Sequence, residues 1–240
     1  MAPMGNDTHT DSTRREGHDG TGPGPITPDG CAVELWARLP VGDAPDVIEA
    51  AVPAGATILE LGCGIGRMTH PLTDRGFTVT AVDESAEMLA RVREDVRTVR
   101  SPIERLVLGE RFDVVLLASF LVHAGDETVR QGLLETCRRH VAADGCVLMQ
   151  REGEDWHLNV PRESRLGADG VARIVSSTRV GDGVNSVHAE YEFPDARWTH
   201  TFRSRPLTTA AFEQALTDAG LTVESYLTED RTWVRARPTR

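Results

Sequence analysis

The chain lacks any run of about 18 apolar residues, so no membrane-spanning helix is expected. Its N-terminus lacks a basic start followed by an apolar stretch. No secretory signal is therefore expected, and the default location is cytoplasmic. Cysteine is sparse. Cys31, Cys63, Cys137 and Cys146 form neither a CxxC pair nor a Cys/His ligand spacing. A structural zinc is thus disfavoured, no metal is expected, and the thiols read as reduced and partly buried. Clustered basic charge is also missing. The formal net charge is -11, and the densest basic spot, Arg138-Arg139-His140, reads as the last turn of a helix, where cations are favoured. That balance argues against a nucleic acid or an anionic membrane as the partner. A small molecule is the expected partner, and no pattern specifies an oligomeric state.

Aliphatic residues are nearly absent from residues 1–27, which are rich in Gly, Asp, Thr, Pro and His. Such a composition cannot bury enough apolar surface to order itself, so a disordered tail is expected there. Residues 28–240 are expected to form one domain, at 40% hydrophobic and 26% charged residues over the 240-residue chain. Two short amphipathic helices are predicted over Ala32–Leu39 and Pro45–Val52. An alternation follows. Strands are predicted at Thr57–Leu61, Phe77–Val82, Asp113–Ala118 and Gly145–Gln150, with helices at Gly66–Arg75, Ala86–Val96 and Glu127–Val141. The run DVVLLA is apolar throughout apart from its first residue, as a strand buried on both faces should be. Alternation of this kind predicts an α/β architecture: a Rossmann-like, seven-stranded mixed sheet with helices on both faces. After Trp156 the texture changes to polar–apolar alternation broken by Gly181-Asp182-Gly183 and Pro194-Asp195-Ala196. An antiparallel β-meander is predicted there, a lid insertion over residues 172–205. A helix capped by Thr208 or Thr209 and two last strands, Leu221–Leu227 and Thr232–Ala236, close the chain.

The stretch ILELGCGIGRM, Ile58–Met68, carries the chemistry. A strand feeding a helix through glycines binds nucleotide-like ligands outside the carboxyl end of a sheet, because glycine permits sharp turns and close backbone approach. Gly62, Gly64 and Gly66 are spaced G-x-G-x-G, and Arg67 takes the place of a third dinucleotide glycine. No Lys-Ser/Thr pair follows, which excludes a Walker loop. Glu60 beside the loop would repel a pyrophosphate and suits an ammonium instead. Asp83, 21 residues after Gly62, stands where an acid takes the two hydroxyls of a ribose. S-adenosylmethionine (SAM) has a ribose, a cationic amino-acid end and no phosphate, and it is the expected cofactor.

ELGCGIGR followed by AVDES resembles the first two motifs of the class I SAM-dependent methyltransferases. RFDVVLLASFLVH and HVAADGCVLMQ resemble the family's later strand segments, although Ala143-Asp144-Gly145 departs from its Pro-Gly-Gly. The resemblance covers roughly Trp36 to Arg237. It implies that Glu60, Gly62, Gly64 and Gly66 cradle the methionine end, with Cys63 and Arg67 on the same loop. It places Asp83 on the ribose, Glu84 beside it, and Met88, Pro102, Ile103 and Glu104 around the adenine. Ser101 stands where an acid is more usual. Ala118 and Ser119 would lie by the sulfonium methyl.

The acceptor side is read from loops at strand ends, which carry function in this architecture. His123 has two readings of equal weight: a base taking the acceptor's proton, or a histidine bonded to nearby backbone. Phe120 walls the acceptor pocket or joins the core. Arg151, Trp156 and His157 follow the last parallel strand and are expected to contact substrate; Glu154 and Asp155 read as a solvated acidic loop. Trp36 either closes the cofactor site or packs on the core. The activity expected is methyl transfer from SAM to a nitrogen or oxygen of a metabolite or natural product. The rivals are non-methyl SAM chemistry on the same fold, a NAD-linked dehydrogenase, and a non-catalytic SAM-binding module. Ser119-Phe120-Leu121-Val122 stands where an N-P-P-Y signature would be, which disfavours the amide and nucleobase N-methyltransferases that carry it.

Overall fold

A computed structural model describes residues 14–239. The first element is a short strand, β1 (Asp19–Thr21), followed by helices α1 (Val33–Trp36) and α2 (Ala44–Ala51). The alternating part then runs β2 (Thr57–Leu61), α3 (Thr69–Asp74), β3 (Thr78–Asp83), α4 (Ala86–Leu89), β4 (Arg97–Arg100), β5 (Phe112–Leu117), α5 (Glu127–His140) and β6 (Val141–Gln150). Four antiparallel strands come next: β7 (Arg162–Leu166), β8 (Gly170–Gly181), β9 (Val184–Phe193) and β10 (Ala196–Ser204). Helix α6 (Thr209–Asp218) and strands β11 (Leu221–Tyr226) and β12 (Trp233–Pro238) finish the chain.

Seven strands form one sheet in the order β11-β12-β6-β5-β2-β3-β4. β4, β3, β2, β5 and β6 are parallel, while β12 is antiparallel to both β6 and β11. This is the expected Rossmann-like mixed sheet. Its alternating side chains feed two cores. One face of the strands gives Leu59, Leu61, Val115, Leu117, Val147 and Met149 to α5 and α6 through Leu133, Leu134, Phe212 and Leu216. The other gives Ile58, Val79, Val114, Leu116 and Leu148 to α2 and α3 through Ile48 and Leu72. Burial on both faces explains the unbroken apolar runs. From β2 the chain moves outward through β3 and β4, and from β5 it moves the other way. The switch point therefore lies between the carboxyl ends of β2 and β5, where such sheets take their ligands.

The lid is wider than its sequence pattern. β8, β9 and β10 match the predicted meander, and β7 and β1 add an outer strand on either side, in the order β1-β10-β9-β8-β7. β1 corrects the expected tail. Asp19, Gly20 and Thr21 pair with Thr201, His200 and Thr199 of β10, so order begins well before Pro28. Backbone pairing to an existing edge substitutes for the missing apolar side chains. The rest of the predicted tail, residues 1–13, lies outside the described residues. Other elements differ as well. α1 ends at Trp36, not Leu39, before Pro40. α4 stops at Leu89, not Val96, and past it the Arg93 amide donates to His70 Nε2 at 3.2 Å. β4, with the polar sequence RTVR, is an edge strand that hydrophobic patterning passes over.

Candidate functional site

The glycine loop leaves β2 at the switch point. Gly62, Gly64 and Gly66 have φ of 74°, 55° and 84°, a region that L side chains rarely adopt. A Cβ on Gly62 would stand 2.7 Å from Leu121 Cδ1, and one on Gly66 2.5 Å from His70 Nε2. The amides of Gly62 and Cys63 both donate to the carbonyl of Val82, tying the loop to β3. Glycine is thus required by conformation at three positions, and at two of them a side chain would also press on the tips of Leu121 and His70.

Both framing acids meet this loop. Glu60 is 3% exposed and accepts the Thr69 hydroxyl at 2.5 Å. Burial pushes its carboxyl up to about 7, against the opposing pull of the Thr69 hydroxyl and Arg67. Asp83 accepts the Gly64 amide on Oδ2 at 2.8 Å and the Ser85 amide on Oδ1 at 2.9 Å. Burial raises it to about 6, although these two amides pull the other way. Two raised acids beside a glycine loop fit a ligand that brings a cation to one and hydroxyl donors to the other. These residues could hold SAM: Glu60 its ammonium, Asp83 its ribose.

The remaining predicted cofactor residues divide. Met88 is buried, with its sulfur 3.8 Å from where a Gly64 Cβ would be, and Ile103 Cδ1 comes within 3.4 Å of the same position on Gly62. Pro102 opens the one-turn helix Ile103–Arg105. Glu84 and Glu104 are both held by Arg15, at 2.9 and 3.6 Å. Arg67 stacks its guanidinium 5.2 Å from the Trp36 ring and donates to the Pro40 carbonyl at 2.6 Å, which fastens α1 over the loop. Cys63 turns away. It is buried with Ala81, Val92 and Val96, and its thiol is pushed up by burial.

Beyond β5, Ala118 is buried, and Ser119 and Phe120 have φ of 53° and 60°. Two consecutive non-glycine residues in the left-handed region are costly, and such strain gathers at functional turns. The Ser119 amide donates to Gln150 Oε1 at 3.0 Å, which links the end of β5 to the end of β6. Phe120 is 38% exposed, so it is not core and is free to wall a pocket.

His123 takes the second of its two readings. Its Nδ1 lies 2.9 Å from the Arg205 carbonyl, which can only accept, so Nδ1 carries the proton. Nε2 then accepts the Glu152 amide at 3.0 Å. Both ring nitrogens are spent on backbone, and the side chain is 4% exposed. Burial, with Arg151 and His157 adding to it, holds the ring down to about 4. A catalytic base needs a free lone pair, and this ring has none; it clasps the end of the lid to the end of β6. Arg151 is likewise corrected. It is 2% exposed, donates to the Leu207 carbonyl at 3.0 Å and lies 4.9 Å from the Phe212 ring, so it anchors α6 instead of facing substrate. Trp156 is half-buried under the Arg162 guanidinium at 4.3 Å, and His157 is buried between Ser177 and Ser204 of the lid.

Sequence reasoning missed two contributors, Arg15 and Asp29, and left the facing of a third, Tyr191, open. Arg15 lies in the presumed tail. Asp29 is fixed by Thr27 and Cys31, and its carbonyl faces His200 Nε2 at 3.0 Å. Tyr191 shares the lid face of Trp198 and His200, and burial raises its phenol to about 12. Alternation marks one face of β9, but only the pairing with β10 tells which face looks inward.

The site carries a pH prediction. An ammonium requires Glu60 ionised, so SAM affinity should weaken roughly tenfold per pH unit below about 7, and it should fall again above about pH 8 as the ligand's own α-ammonium loses its proton. Calorimetry of S-adenosylhomocysteine binding across this range, in buffers of different ionisation enthalpy, should record proton release that Glu60→Gln removes.

Comparison with known proteins places the chain in a family. A family described as a methyltransferase domain matches residues 58–145. A dTDP-3-amino-3,6-dideoxy-alpha-D-glucopyranose N,N-dimethyltransferase of Streptomyces fradiae is 30% identical over 184 residues, covering 72% of this chain and 72% of that protein. A cypemycin N-terminal methyltransferase of Streptomyces sp is 32% identical over 145 residues, 53% of this chain and 56% of that one. Among solved structures, the CcbJ methyltransferase from Streptomyces caelestis has a TM-score of 0.68 at 21% identity, covering 84% of this chain and 91% of that chain.

Proposed function

Because the chain belongs to the class I SAM-dependent methyltransferases, we propose that it transfers the methyl group of SAM to a nitrogen or oxygen of a small-molecule acceptor. The observation that carries this is the pairing of Glu60 and Asp83 with three left-handed glycines at the switch point. An amino nitrogen is the acceptor atom favoured. The names of two relatives specify an amino sugar and an amino terminus, and the buried acid Glu152 is tied through its amide to His123, just past β5.

The bound sulfonium supplies an already activated methyl, so the chain's work is positioning and exclusion of water. Glu60 and Asp83 fix the two ends of the cofactor. The turn Ser119–Phe120, braced by Gln150, sets the wall beside the methyl. The five-stranded lid, clasped by His123, keeps water from the acceptor.

The test is incubation with SAM and dTDP-3-amino-3,6-dideoxy-alpha-D-glucopyranose, the acceptor named for the Streptomyces fradiae relative, followed by mass spectrometry. One or two methyl additions with matching S-adenosylhomocysteine are expected. Formation of methylthioadenosine instead would mark non-methyl chemistry.

A further inference from the structure

Glu152 follows the last residues of β6, beside the Ser119–His123 turn. It is 4% exposed, and its Oε2 is buried with no hydrogen-bond partner among the described residues. A buried carboxylate without donors is costly, and native structures retain few. Its backbone is not loose, since the Glu152 amide is held by His123 Nε2. Its Oε2 lies 3.4 Å from His157 Nε2. His157 is in turn fixed from the lid: Nδ1 meets the Ser177 hydroxyl at 2.8 Å, Nε2 the Ser204 hydroxyl at 3.2 Å, and Asn185 donates to Ser177 at 2.8 Å. Three elements thus converge to hold an acid and an imidazole side by side while leaving the acid's buried Oε2 without a hydrogen-bond donor. The nearby cation does not quench it. Arg162 spends its Nη1 on the Trp156 and Asn159 carbonyls and stacks on the Trp156 ring.

Resting on the methyltransferase reading, we propose that Glu152, oriented by His157, receives the protonated amino group of the acceptor and takes its proton. The amine gives an N–H proton to the carboxylate. Its freed lone pair then forms the N–C bond while the methyl C–S bond breaks, and that electron pair stays on sulfur. The proton passes on to water, one for each methyl transferred. An ammonium is the ligand that fits, because it supplies both the missing donors and the compensating charge. The charged and titratable groups facing this corner are His157, Arg162 and, around His123, Arg151 and Arg130. Burial dominates them and raises Glu152 to about 8, a value suited to accepting a proton near neutrality.

The experiment uses the full chain saturated with S-adenosylhomocysteine. Cyclohexylammonium and its neutral match, cyclohexanol, are titrated calorimetrically at mildly alkaline pH. The expected result is an ammonium preference of at least about tenfold in the wild type, lost in Glu152→Gln while the cofactor-induced thermal shift is retained. A second measurement needs no variant: wild-type ammonium binding should strengthen as pH rises through about 8. A preference that survives in Glu152→Gln, or that is absent from the wild type, overturns the assignment. Failure of S-adenosylhomocysteine itself to bind overturns instead the methyltransferase reading beneath it.

Discussion

Replacing Asp83 with alanine is expected to erase the thermal stabilisation that S-adenosylhomocysteine gives. At 100 times its dissociation constant a ligand adds about 2.7 kcal/mol, which for a domain of this size is a rise of roughly 5–10 °C. If the substitution weakens binding about 100-fold, the same concentration adds only about 0.4 kcal/mol, close to the noise of a melt. A loss that large is expected because one carboxylate does two jobs. It presents acceptors to the ribose, and it also binds the amides of Gly64 and Ser85 that shape the loop and start α4. Asp83→Asn separates them. One amide acceptor survives while the side-chain NH2 meets the other amide, so the apo melting temperature should fall less than in Asp83→Ala while most of the ligand shift is still lost. Differential scanning fluorimetry with S-adenosylhomocysteine, and NAD as control, checks both. A shift with NAD alone would sink the cofactor assignment.

His123→Ala is expected to cost stability before it costs chemistry. The Glu152 amide and the Arg205 carbonyl would be left without partners in a buried site, at about 1–3 kcal/mol each. Together with the cavity left behind, a fall of roughly 10 °C in melting temperature follows. Were His123 a base, the outcome would be reversed: a loss of about 10²–10⁴ in rate with an unchanged melt. The ring also sets a pH dependence. Its folded value near 4 lies below the unfolded value of 6.5, so between these limits the unfolded chain binds more protons. The stability it contributes is present above pH 6.5 and is lost as pH falls through about 4. His157, also held near 4, acts in the same direction, so acid melts of the alanine variant should retain part of this slope.

The cofactor half of the site was legible because its constraints are local. Positive φ needs glycine, and Glu60 and Asp83 stand at strand ends whose alternation the apolar runs announce. The acceptor half is assembled from distant segments. Whether His123 offers a lone pair depends on a carbonyl 82 positions away, and whether Arg151 faces solvent depends on Leu207 and Phe212. No spacing rule in a single sequence encodes such pairings. β1 was missed for a related reason: it contributes almost no apolar side chain and owes its order to the neighbour it pairs with. β4 escaped because an edge strand carries charge where an inner strand carries valine.

That pairing bears on how the protein should be handled. Trimming residues 1–27 as a floppy leader would strip β1 from the lid and leave the β10 backbone from Thr199 to Thr201 with unmet donors and acceptors. An open edge of that kind invites a second molecule to dock strand to strand. The trimmed protein should therefore drift toward oligomers at concentrations where the full chain remains dispersed.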